Sequence, residues 1–222
     1  MRAHRRLTSI AAALGPAGGS CVGSAAASRG DASSAAPDQL IATAAETEHY
    51  RTHGWVVCRG VLPATLTDTV RGVLGAWCDR TIDSWVDEGL LEDAAPELDM
   101  RNRLRECWQR AGEPQYSRSP RRDLVSPQMF EILADATLAA LSRQLMGCAE
   151  VLSHSIFNAR PKLPQQSWTD TPWHQDAQYY PDAGQPGNGH HVLSLWIPTQ
   201  PVSERNSCME VAPLPHLGNN RP

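Results

Sequence analysis

Within the stretch Thr171-Pro172-Trp173-His174-Gln175-Asp176, His174 and Asp176 stand two positions apart. Residues i and i+2 of a strand project to one face, so a strand here would aim an imidazole and a carboxylate at one point. Such a pair supplies two of the three ligands in a 2-His-1-carboxylate facial triad, which leaves open positions on iron for co-substrate and oxygen. Alone, H-x-D recurs by chance in many chains, so the neighbourhood has to carry the assignment.

The elements that must hold this pair divide the chain into a helical front and a strand-rich back. Residues 38–53 read as a helix stopped at Gly54, a residue suited to the left-handed cap. Trp55-Val56-Val57-Cys58 reads as a short strand. Pro63 suits the first position of a second helix, whose Leu66, Val70, Leu74 and Trp77 recur at one-turn spacing, with Trp85, Val86 and Leu90 continuing it. The charged region 92–122 holds a short helix over Arg103–Arg110. Ser126-Pro127 opens another, and Asp135 caps the next, with Leu138, Leu141 and Leu145 inward and Gly147 as its stop.

From residue 149 the pattern turns to strands and turns. Residues 150–159 have strand character, 161–171 is a Pro/Gln-rich loop, and 172–179 a short strand. After a Gly/Pro/Asn loop at 181–189, His191-Val192-Leu193-Ser194-Leu195-Trp196-Ile197 is the clearest strand. Glu204–Ser207 reads as a turn and Cys208–Val211 as a further strand. Helices followed by antiparallel strands predict an α+β layout, with the helical part packed on an incomplete double-stranded β-helix of jelly-roll or cupin-like type.

A net charge of −4 gives no pointer to nucleic acid, which would favour a strongly basic face, and no run approaches the roughly 20 apolar residues of a membrane span. Six cysteines at wide spacing match neither a zinc ribbon nor a small disulfide framework, and read as reduced, mostly buried thiols of an intracellular protein, with a disulfide or two as the alternative for an exported chain. Residues 1–37 stand apart from the body at 38–222. Three arginines precede an Ala/Ser/Gly stretch with no acid before Asp31. That leader fits an organellar transit peptide (mitochondrial or plastid), a secretory segment cleaved near Ala25–Ala27, or a disordered terminus.

The order of several motifs raises the weight of H-x-D. Trp173-His174-Gln175-Asp176, then Tyr179-Tyr180-Pro181, Leu193-Ser194-Leu195-Trp196-Ile197-Pro198, Asn206-Ser207-Cys208-Met209-Glu210-Val211-Ala212-Pro213 and His216 resemble the core of the phytanoyl-CoA dioxygenase family. Gly54-Trp55-Val56-Val57-Cys58-Arg59-Gly60-Val61-Leu62 is similar to the family's opening segment. The resemblance, over about residues 40–216, implies an Fe(II)- and 2-oxoglutarate-dependent oxygenase. It makes His174 and Asp176 iron ligands and brings Ile156, Asn158, Arg160 and Trp196 towards the 2-oxoglutarate pocket. Trp196 reads equally well as a core aromatic. The implied reaction consumes O₂ and 2-oxoglutarate and hydroxylates a small organic or acyl substrate, the retained carboxylate at Asp176 favouring hydroxylation over halogenation.

Two features depart from the family pattern. Ser207 stands where glycine is usual, so a left-handed backbone there meets a Cβ penalty. Pro213-Leu214-Pro215-His216 replaces the usual Pro-Gly-Ser-His, and His216 is read as structural. The family's second iron-binding His and its 2-oxoglutarate Arg lie further downstream than this sequence reaches. The expectation is therefore a partial domain with little or no oxygenase activity, unless His154, His190 or His191 completes the triad. A non-catalytic remnant or binding module of the same fold is the alternative from another class. A cupin with different metal ligands is a third, for which the sequence offers no fitting His/Glu spacing.

Overall fold

The structure is a computed structural model that describes residues 40–116, 120–154, 157–166, 171–174, 176 and 192–212. The leader expected at 1–37 lies outside the described residues. Helix α1 (Ala44–His53) starts six residues later than its periodicity suggests, because Thr43 and Glu46 form a capping box. The Thr43 hydroxyl accepts from the Glu46 amide at 3.1 Å, and the Glu46 carboxylate accepts from the Thr43 amide at 2.7 Å. Gly54 ends α1 in the left-handed region at φ 79°. Pro63 caps α2 (Ala64–Asp87) from one position outside the helix, and Leu66, Trp77, Ile82 and Trp85 are buried along it.

Helix α3 (Met100–Arg110) begins a little before the short helix expected over 103–110, where the Asp99 side chain accepts from the Arg101 amide. Ser126 caps α4 (Pro127–Leu133) through its hydroxyl, and Asp135 caps α5 (Ala136–Met146) by accepting from two amides. Gly147 closes α5 at φ 67°. Helix α2 is the central element, packed against α3 and α4, while α1 packs on α5. One apolar core runs through all five, from Ala42 to Leu163, with Trp108, Tyr50, Ile82, Leu124, Leu141 and Leu145 almost fully enclosed. No described helix is long and apolar enough to cross a membrane. No disulfide joins the five described cysteines.

The sheet expected after residue 149 is not found. Among the described residues there is no strand, so the α+β jelly-roll or cupin-like architecture is corrected to a helical one. The same correction applies to 55–58, to the described parts of 150–159, 172–179 and 191–197, and to 208–211. β-Branched and apolar content makes a segment suitable for pairing, but a strand exists only where another backbone supplies the ladder. Some of their apolar residues pack on the helical core instead, while Leu152 and Trp173 stay exposed. Phe157 and Ala159 pack on it from one run, and Leu193, Leu195 and Ile197 from another. The second run is fixed at its end by Arg71 of α2, whose Nε donates to the Thr199 carbonyl at 3.1 Å. The turn expected at 204–207 is present as a 3-10 turn over Glu204–Asn206, and Ser207 adopts the left-handed region at φ 60° despite its Cβ.

Candidate metal centre

His174 and Asp176 meet, but not by strand alternation. Trp173 sits in a bend, and the His174 ring folds back on its own chain so that Nδ1 lies 2.7 Å from the Pro172 carbonyl. Its other nitrogen, Nε2, lies 3.2 Å from Oδ1 of Asp176. The second carboxylate oxygen, Oδ2, accepts a hydrogen bond from the Ser194 hydroxyl. Both side chains remain partly open to solvent, at 26% for His174 and 36% for Asp176.

The protons follow from this arrangement. A carbonyl only accepts, so the contact with Pro172 places a hydrogen on Nδ1 of His174. Nε2 then carries either a second proton, making an imidazolium paired with Asp176, or a lone pair facing the carboxylate. Two lone pairs at 3.2 Å repel unless a cation lies between them. The second arrangement is that of a metal-binding histidine, whose other ring nitrogen donates to a backbone carbonyl and so sets the tautomer. Distances agree as well. Nitrogen and oxygen donors each about 2.1 Å from a first-row metal, at a right angle, stand about 3.0 Å apart. The residues present therefore fit two of the donors of a divalent metal. Among the described residues, no group of three or more His, Cys, Asp or Glu side chains forms a metal cluster.

The other predicted site residues fall differently. Ile156, and His190, His191 and His216, lie outside the described residues. Asn158 is exposed, and its side-chain oxygen accepts from Nη2 of Arg121 at 2.7 Å. Nε of Arg121 also donates to the Phe157 carbonyl at 2.9 Å. Arg160 and His154 are exposed, and Trp196 is half-buried. Because Phe157 and Ala159 turn to the core, Asn158 and Arg160 share the opposite side of that run. Sequence reasoning missed Ser194 and Arg121. The available signal for Ser194 was a hydroxyl residue set between Leu193 and Leu195, whereas nothing local marked Arg121.

An open groove of about 700 Å³ lies elsewhere, between α2 and residues 114–116 and 123–126. Trp77, Trp85 and Tyr116 line it with Arg80, Glu88 and Asp123, and it contains neither His174 nor Asp176. Arg80 is already engaged there, its Nη2 donating to the Asp123 carbonyl at 2.8 Å.

A sequence model of the phytanoyl-CoA dioxygenase family matches residues 50–222. The chain belongs to that family. The match includes the whole His174–Asp176 region and the 192–212 run. No curated protein and no solved structure matches the chain. Phytanoyl-CoA dioxygenase family proteins are in general dependent on Fe(II) and 2-oxoglutarate, and act with O₂ on small molecules.

Proposed function

We propose that the chain serves an Fe(II)/2-oxoglutarate-dependent hydroxylase of a small organic or acyl substrate, with His174 and Asp176 as two of the iron ligands. Residues 38–222 form the oxygenase domain in this reading, and its unbroken core between Ala42 and Leu163 supports that assignment. The observation that carries the site is the position of His174: Nδ1 engaged by a carbonyl, Nε2 turned to a carboxylate oxygen 3.2 Å away.

His174 and Asp176 would hold iron, which together with 2-oxoglutarate and O₂ would supply the oxidising power for hydroxylation, the 2-oxoglutarate being converted to succinate and CO₂. The chain's own residues orient that chemistry. The Pro172 carbonyl keeps a proton on Nδ1, so Nε2 is available as a donor. Asp176 contributes a negative charge that offsets part of the metal's. Ser194 occupies the second carboxylate oxygen. Asn158, Arg160 and Trp196 are proposed to border the 2-oxoglutarate pocket, and the Arg121 clamp supports this for Asn158 by holding its amide in one orientation. Ile156 keeps the role that the family resemblance gave it.

The test is an anaerobic Fe(II) titration of the full chain, followed by O₂ and 2-oxoglutarate with succinate as the readout. Stoichiometric Fe(II) binding with Fe(II)-dependent succinate formation supports the hydroxylase. Fe(II) binding without succinate leaves a metal-binding module of the same family. An absence of both removes the iron site.

A further inference from the structure

We propose that Ser194 is a positioning residue that holds the Asp176 carboxylate as a one-oxygen donor, an inference that rests on the metal-site reading above. Leu193, Leu195 and Ile197 are packed against the helical core, which holds the backbone on both sides of Ser194. From that held backbone Ser194 donates its hydroxyl to Oδ2 of Asp176. The other oxygen, Oδ1, is the one 3.2 Å from Nε2 of His174. The two carboxylate oxygens therefore have separate tasks.

A carboxylate free at both oxygens can rotate and bind a cation through either or both. With Oδ2 occupied, rotation costs the Ser194 hydrogen bond, so Oδ1 is presented alone and the position that Oδ2 would take stays open. A hydroxyl suits this task because it donates one hydrogen bond and brings no charge to compete with the cation. Its anchor is firm: the Ser194 backbone lies between two half-buried leucines packed on the core, and the run is tied to α2 through Arg71 and the Thr199 carbonyl, 3.1 Å apart. Rigid placement of the group behind a ligand is what such outer contacts contribute to a metal site.

The experiment titrates Co(II), as an air-stable probe, into the full chain and into Ser194→Ala, Ser194→Cys, Ser194→Thr and Asp176→Asn. Co(II) affinity in Ser194→Ala falls by roughly 10–100-fold, the usual loss for an outer-contact residue. Its visible Co(II) absorption weakens as the freed oxygen raises the coordination number, while the thermal midpoint and helical circular dichroism are unchanged. Ser194→Thr restores both affinity and spectrum. Ser194→Cys, of similar volume but a weaker donor, falls between and covers the case in which the alanine variant fails to fold. Wild-type affinity and spectrum in the Ala or Cys variant, with binding lost in Asp176→Asn, overturn the role of Ser194 and leave the metal site standing. A wild-type chain that does not bind Co(II), or an Asp176→Asn chain that binds it equally well, overturns both.

Discussion

Nε2 of His174 and Oδ1 of Asp176 face each other at 3.2 Å, with the opposite ring nitrogen of His174 already committed to the Pro172 carbonyl. Neither side chain belongs to the apolar core, so each can be replaced without opening a cavity there. His174→Ala and Asp176→Ala each lower Fe(II) or Co(II) affinity by more than the roughly 100-fold upper range of an outer-contact change. The thermal midpoint of the metal-free protein moves little. Isothermal titration with differential scanning fluorimetry on the same samples checks both statements. Unchanged affinity in either variant removes that residue from the site.

The helical half of this fold was legible because its signals are local. Ser126 before Pro127, Asp135 and Gly147 around α5, and Gly54 after α1 each act within one turn of the helix they limit, and all appear where read. Starts were less legible, as with α1, which waits for the Thr43 cap instead of beginning at 38. The strands failed for the converse reason. Val192–Ile197 has strand composition, but pairing depends on another backbone that composition does not specify, and its alternate residues found the helical core instead. In the site, His174 and Asp176 were visible as a motif, although a bend rather than a strand brings them together. The partners Ser194 and Arg121 were hidden because each contact joins segments far apart in sequence.

Arg121 holds the 157–158 segment with two donors from one guanidinium, to the Phe157 carbonyl at 2.9 Å and to Asn158 at 2.7 Å. Lysine keeps the charge but lacks the planar fork that spans both acceptors. In Arg121→Lys, losing a bond worth about 1–2 kcal/mol speeds local opening roughly 5–30-fold. Hydrogen exchange at 157–163 reads this directly, with α5 as the internal control. If Asn158 borders the 2-oxoglutarate pocket, the KM for 2-oxoglutarate rises in the same variant while Fe(II) affinity holds. A raised KM with exchange unchanged contradicts the clamp.

Gln144 on α5 joins the start of the described chain to the helices. Its Oε1 accepts from the amides of Ile41 and Ala42 at 2.9 and 3.0 Å, and its Nε2 donates to the Ala42 carbonyl at 2.6 Å and to the Thr47 hydroxyl at 3.1 Å. Ala42 is only 1% exposed, so water is poorly placed to replace these bonds. Gln144→Ala destabilises the fold by about 2–3 kcal/mol. That is a fall of roughly 5–10 °C in thermal midpoint for a chain of this size. Gln144→Glu is no remedy, since it turns a carboxylate oxygen on the Ala42 carbonyl that Nε2 now serves. A midpoint within about 1 °C of wild type for Gln144→Ala contradicts the lock, being less than the loss of a single such bond produces.

Cys58 and Cys78 make the protein sensitive to alkali. Burial, with the Glu46 carboxylate adding to it, pushes the Cys58 thiol up to about 11. Burial and then Asp79 do the same for Cys78, also to about 11. An unfolded cysteine ionises near pH 8.5. Below that pH both states keep the proton and the thiols add no pH dependence. Between about 8.5 and 11 the unfolded chain releases protons that the folded chain retains, so stability falls as pH rises through this window. The buried Tyr50 hydroxyl, also pushed upward, acts in the same direction above about pH 10. Denaturant midpoints measured from pH 7 to pH 10 are level at first and then decline. Cys58→Ala/Cys78→Ala lowers the neutral-pH midpoint through lost packing, yet flattens the decline. In the wild type, both thiols resist alkylation at pH 8 until the chain is unfolded, because the thiolate is the reactive form. Rapid labelling of Cys58 in the folded protein at that pH contradicts the upward shift.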